Sequence, residues 1–372
     1  EQAMPREPSL LIPAGHRRRS PRSAAMTPAQ DLAIPPIRSA VSDSPGTLLP
    51  SARMDDAGRR FVRAVPQGLP MRPIRVYAAL HAAATVSERI DLVVRELERQ
   101  GAFRRQYLLV AIPTGGGHVN PVVPEALERM TGGDVASCAV QFGTLPSFLS
   151  ITKVGDGARI HAALLARIAQ RVKTLYPHGG GPRVLLYGES LGAWSGAQIL
   201  SGGGPQRLRQ LGIDRVLWVG EPGFATFDTS GFPFGAIKTH ESWEAVLRTS
   251  ADRHIQQHLR VMRYSHPDDP VHRADLATIL RPSRRSTDDD IAAVQRPAWI
   301  PVLTFARSVF DLIVHANQAR PGEFTDDTHD YRLELARLVR DGFGVQGVSD
   351  ARLGAIAQQL ERSDAWVLNS HW

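Results

Sequence analysis

Gly188-Glu-Ser-Leu-Gly192 sets one serine between two glycines, each two residues away. A serine hydroxyl is a poor nucleophile until a base takes its proton and an acid orients that base. The context favours that chemistry. The apolar run Arg183-Val-Leu-Leu-Tyr187 leads into the motif as a strand, and residues 191–201 leave it as a helix. A strand-to-helix turn of this kind forces Ser190 into a strained backbone conformation, and Gly188 and Gly192 remove the clashes that side chains would make there. The helix N-terminus then points free N–H groups at the reacting centre.

For a serine on such a turn, the acid and the histidine follow later in the chain, in that order. The strand ending at Tyr264 runs into Ser265-His-Pro-Asp-Asp-Pro270, which supplies Asp268 and Asp269. Asp269 is preferred, because Pro270 and Val271 complete an Asp-Pro-Val turn of a kind common in such enzymes; Asp268 stays as the alternative. The histidines beyond it are His272, His315, His329 and His371. His272 follows too closely to arrive from a separate loop. His315 sits in the helical run Phe310-Asp-Leu-Ile-Val-His-Ala316, and His371 is next to the terminus. His329, in the polar loop Phe324-Thr-Asp-Asp-Thr-His-Asp-Tyr331, is the expected base.

Acyl transfer also needs donors for the developing oxyanion. One is the backbone N–H of Leu191. The other belongs in the loop two strands earlier, Pro113-Thr-Gly-Gly-Gly117, on Thr114 or Gly115. That loop is not a phosphate cradle of the P-loop kind, since no Lys-Ser/Thr follows the glycines and the spacing is not G-x-G-x-x-G.

These residues need a frame. Arg75–Leu80, Tyr107–Ile112, Val135–Phe142, Arg183–Tyr187, Asp214–Gly220 and Leu259–Tyr264 read as strands. Helices are expected from the capping box Thr85-Val-Ser-Glu88 to Gly101, and over 121–131, 157–175 and 191–201. Alternating strand and helix predicts a doubly wound, mostly parallel sheet. Residues 221–258 show little pattern and many aromatics, and are expected as a lid or cap insertion. The last part, about 298–370, reads as helices. Residues 1–45, rich in Pro, Arg, Ser and Ala, read as a flexible tail, with 46–372 as one domain.

Composition narrows the partners. The chain has 372 residues, 44 Lys+Arg against 37 Asp+Glu, and a net charge of +7. All the basic residues but Lys153, Lys173 and Lys238 are arginines, scattered among acids rather than gathered in a stripe, so no nucleic-acid partner is expected. The lone Cys138 lies in an apolar run and excludes an intrachain disulfide or a Cys-rich metal site. No stretch approaches the roughly 18 apolar residues of a membrane span, and no signal peptide is apparent, so a cytoplasmic location is expected, with peripheral membrane contact through the basic tail as an option. Neither cofactor nor metal is expected, and the oligomeric state stays open.

Several stretches together resemble a bacterial alpha/beta-hydrolase catalytic-domain family whose members usually carry a membrane region ahead of the domain. They are Gly58-Arg-Arg-Phe-Val62, Ile74-Arg-Val-Tyr77, Pro113-Thr-Gly115, Leu145-Pro-Ser147, Tyr187-Gly-Glu-Ser-Leu-Gly192, Leu217-Trp-Val-Gly220, His266-Pro267 with Asp269-Pro270, and His329 with Tyr331. The resemblance implies an alpha/beta-hydrolase fold, a serine hydrolase acting on a small-molecule ester, thioester or other acyl substrate, and the roles of Ser190, Asp269 and His329. An acyltransferase or cyclase with a non-water acceptor, and a non-catalytic binding protein on the same fold, are the alternatives. The chain departs from that family in its Pro/Arg-rich tail, in His272-Arg273 after the Asp-Pro turn, in Asp326-Asp-Thr before His329, and in Glu221 after Gly220. These departures imply a more polar and more acidic pocket.

Overall fold

The computed structural model describes residues 46–144, 153–223, 225–269, 271–272, 322–324 and 329–369. Strands β1 (Ile74–Ala78), β2 (Tyr107–Ile112), β3 (Val135–Val140), β4 (Arg183–Glu189), β5 (Ile213–Val219), β6 (Ile237–His240) and β7 (Val261–Tyr264) form one sheet, ordered β1-β3-β2-β4-β5-β7-β6. All neighbouring pairs are parallel. Every residue of β1, β2 and β3 is buried. Helices cover both faces of a parallel sheet, so its strands carry unbroken apolar runs instead of alternating ones.

The helices are α1 (Asp56–Arg63), α2 (Val86–Arg99), α3 (Val122–Met130), α4 (Val154–Leu175), α5 (Leu191–Leu200), α6 (Gly204–Gln210), α7 (Trp243–Ala251), α8 (Arg253–His258), α9 (Arg332–Phe343) and α10 (Asp350–Asn369). One group packs α4 on α2 and α5, and another packs α3 on α9 and α10. The capping box forms as the spacing predicts: Glu88 N–H donates to Thr85 Oγ1 at 3.2 Å, and Thr85 N–H donates to Glu88 Oε2 at 2.9 Å. Gly101 follows with φ +77°, the left-handed turn that ends α2.

At the amino edge of the sheet, Arg75 is fully buried against Glu128 of α3. Its Nε and Nη2 donate to the two carboxylate oxygens at 2.6 and 2.8 Å, and Nη1 donates to Phe61 O of α1 at 2.9 Å. This two-pronged pair ties β1, α1 and α3 together.

The segment 221–258, expected as a lid or cap insertion, contributes regular elements in its second half. Its second half belongs to the sheet and its flanking layer: β6 is the edge strand beside β7, with α7 and α8 following it. The pattern was weak because Ile-Lys-Thr-His is a short, polar edge strand with only His240 buried. Helices α1 and α6 were also absent from the sequence reading; Asp55 caps the former by accepting from Gly58 N–H at 2.9 Å. Strand β3 stops at Val140, two residues earlier than expected. The tail 1–45, the Leu145-Pro-Ser147 stretch and residues 298–321 lie outside the described residues.

Candidate active site

Parallel strands put all their carboxyl ends on one edge of the sheet, and the chemistry-bearing residues converge there. Strand β4 ends at Glu189 and α5 begins at Leu191, leaving Ser190 alone on the turn. Its φ of 54° and ψ of −120° make it the only non-glycine residue with positive φ among the described residues. A side chain rarely accepts this conformation, so the surroundings must hold it. They do so by close packing. A Cβ on Gly188 would lie 2.4 Å from Gly192 O, and one on Gly192 would lie 2.4 Å from Ile112 O. Ser190 N–H donates to Val219 O at 2.9 Å, which fastens the turn to β5.

The approach of Gly192 to Ile112 and Pro113 sets the elbow against the glycine loop that follows β2. In that loop Thr114 N–H donates to His118 O at 2.8 Å, and Gly117 N–H donates to Thr114 O at 2.9 Å. The Thr114 amide, one of the two expected oxyanion donors of this loop, thus has an acceptor in its own turn. Gly115 N–H has no protein acceptor among the described residues, nor does Leu191 N–H at the first position of α5, so these two amides remain candidates.

The loop after β7 separates the two aspartates. Asp268 is exposed, whereas Asp269 has no exposed surface. Asp269 Oδ1 accepts from Val271 N–H at 2.8 Å. Its Oδ2 meets His329 Nδ1 at 2.8 Å, across 60 residues of chain, and also accepts the Tyr331 hydroxyl. His272, by contrast, turns its Nδ1 to Glu221 O at 3.1 Å. His315 and His371 lie outside the described residues. The structure thus joins Asp269 to His329. Among the described residues no hydrogen bond joins Ser190 Oγ to the His329 ring; Glu189, the residue before Ser190, acts electrostatically on that ring.

Residues 74–232 match the model of an alpha/beta-hydrolase family. The chain has an alpha/beta-hydrolase fold. Among solved structures, an acetylxylan esterase matches with 14% identity and a TM-score of 0.28, over 45% of this chain and 85% of that one. Lysin B from Mycobacteriophage D29 matches with 16% identity and a TM-score of 0.26, over 69% of this chain and 89% of that one. No curated protein matches.

Electrostatics at the carboxyl edge of the sheet follow from these contacts. Burial pushes the Asp269 carboxyl up, but the His329 hydrogen bond and charge, with the Tyr331 and Val271 hydrogen bonds, outweigh it and hold the group below its ordinary value. Burial pushes the His329 imidazole down; Asp269, and Glu189 behind it, outweigh burial and the opposing His266, and hold the ring above its ordinary value. Glu189 is raised, chiefly by burial, although Tyr187 OH donates to it at 2.6 Å. The carboxyl edge also holds groups to which the sequence assigns no role: Glu189 within the elbow motif, and Tyr331 two residues beyond His329. Only the spacing His-x-Tyr could have signalled the latter.

Cys138 is buried in β3, and burial pushes its thiol up to about 12. Among the described residues no three His, Cys, Asp or Glu side chains gather as a metal site would require, and no helix is long and apolar enough to cross a membrane.

Proposed function

We propose that this hydrolase-fold chain is a serine hydrolase that opens an ester, thioester or other acyl substrate through an acyl-enzyme. The reading is carried by one observation: a strained serine elbow and an acid-tethered imidazole share the carboxyl edge of one sheet. Ser190 Oγ attacks the acyl carbonyl while His329 Nε2 takes its proton. Asp269 accepts from His329 Nδ1–H, which fixes the tautomer that leaves Nε2 free as a base, and it stabilises the imidazolium that forms. The N–H groups of Leu191 and Gly115 are the donors offered to the oxyanion. His329 then protonates the leaving group, and water, deprotonated by the same nitrogen, releases the acyl product and restores Ser190.

A fluorophosphonate probe tests this directly. The folded protein should be labelled at Ser190, found by peptide mass mapping, and p-nitrophenyl butyrate should release p-nitrophenol in a reaction that the label abolishes. Labelling that survives in Ser190→Ala, or a folded protein that neither labels nor turns over the ester, overturns the reading.

A further inference from the structure

Asp269 Oδ2 is shared. It receives His329 Nδ1–H and, on the same oxygen, the hydroxyl of Tyr331, a residue only 1% exposed. The tyrosine is held from three sides. Its oxygen accepts from His266 N–H at 3.2 Å. Its ring stacks on the His266 imidazole, with centroids 4.4 Å apart and planes 27° apart. Gly220, with φ +59°, lies so close that a Cβ there would sit 2.7 Å from the tyrosine ring. His266 is in turn braced by Glu334, whose Oε1 lies 3.4 Å from its Nε2.

We propose that Tyr331 is a positioning residue: it holds the Asp269 carboxylate in place and, by occupying Oδ2, moderates that carboxylate's pull on the His329 proton. The catalytic meaning of this role rests on the serine-hydrolase reading above. The physical argument is simple. A carboxylate oxygen with two donors offers each of them less electron density than an oxygen with one. Burial and the neighbouring Asp269 push the phenol well above its ordinary range, so Tyr331 stays a donor at every working pH. The other titratable groups that act on His329 are Glu189, from the elbow, which favours the imidazolium, and His266, which opposes it. Tyr331→Phe leaves both side chains in place and takes from His266 only the acceptor of its backbone N–H.

The measurement is the pKa of His329, read by NMR on protein with isotope-labelled histidine, alongside the pH profile of kcat/KM on p-nitrophenyl butyrate. Tyr331→Phe keeps the ring and removes the donor. The His329 pKa should rise by roughly 0.5 unit or more, and the acid limb of the profile should move up with it. Site-specific 3-fluorotyrosine at position 331 keeps the shape and strengthens the donor, and should move both in the opposite direction. A His329 pKa that stays put in both variants, or moves the other way, overturns the proposal. The NMR readout does not depend on turnover. A shifted pKa in a protein that never labels at Ser190 would sink the serine-hydrolase reading alone; normal labelling with an unmoved pKa would sink only the role of Tyr331.

Discussion

The two edges of the sheet each bury a carboxylate paired with a basic side chain, and they use burial differently. At the amino edge, Arg75 and Glu128 match prong to prong with no exposed side-chain surface, and the remaining Arg75 nitrogen donates to Phe61 O. At the carboxyl edge, Asp269 is just as buried, but His329 keeps 13% of its side chain exposed and commits only Nδ1. A closed pair resists change, because removing either partner leaves an uncompensated charge in a low dielectric. A pair with one nitrogen still open can hand a proton onward. The strained Ser190 lies at the same carboxyl edge of the sheet, where a helix N-terminus begins. The contrast teaches that equal burial can leave a pair closed, as at Arg75–Glu128, or leave one nitrogen uncommitted, as at His329.

Breaking the open side should give the largest effect. Ser190→Ala should lower ester turnover by about 10⁴-fold or more, with denaturant stability within about 0.5 kcal/mol of the parent. Steady-state kinetics and urea melts read the two quantities separately. Breaking the closed side should do the reverse. Glu128→Gln leaves Arg75 buried without its counter-charge and should cost about 3–5 kcal/mol in urea unfolding. Turnover per folded molecule should stay within about twofold of the parent. A Glu128→Gln protein as stable as the parent but inactive would dissolve the distinction between the edges.

Smaller effects sharpen it. Ser190→Gly relieves the positive φ and should gain about 0.5–1 kcal/mol of stability while losing the probe label, the signature of strain retained for function. The Asp269–His329 pair should also stabilise the fold in a pH-dependent way. The raised His329 contributes fully below the ordinary histidine value of about 6.5, and its contribution is lost as pH rises through its folded pKa. The lowered Asp269 contributes above the ordinary value of about 3.9 and is lost as pH falls through its own folded pKa. The stability difference between the parent and His329→Gln should therefore be widest near pH 5–6 and shrink at pH 8.5, as urea melts at each pH would show. Last, Glu189→Gln removes a carboxylate that favours the imidazolium, so the His329 pKa should fall by a fraction of a unit in an NMR titration.

Much of the fold was legible in the chain because its signals are local. The unbroken apolar runs at Tyr107–Ile112 and Val135–Val140 can be read as buried strands without knowing their neighbours, and Thr85 with Glu88 marks a helix start within four residues. Strand β6 escaped notice because an edge strand has one solvent side and needs no apolar run. The candidate site divides in the same way. The elbow around Ser190 is spelled out by glycines whose close approaches lie at Gly192, in the turn itself, and at Ile112, the end of β2 beside it. The choice between Asp268 and Asp269 is not spelled out, since the two carboxylates are chemically alike and adjacent.

From the order of residues alone came the parallel sheet, the sharp turn at Ser190 and the short set of acids and imidazoles able to reach it. Tertiary structure decided which of these meet: Asp269, not Asp268, pairs with His329, the Thr114 amide donates to His118 O, and Tyr331 is a second donor on a shared oxygen. The reason is distance along the chain. Turns and apolar runs are set by neighbours a few residues away, whereas a hydrogen bond between positions 269 and 329 exists only after the strands and helices around it have packed and set the carboxylate's surroundings.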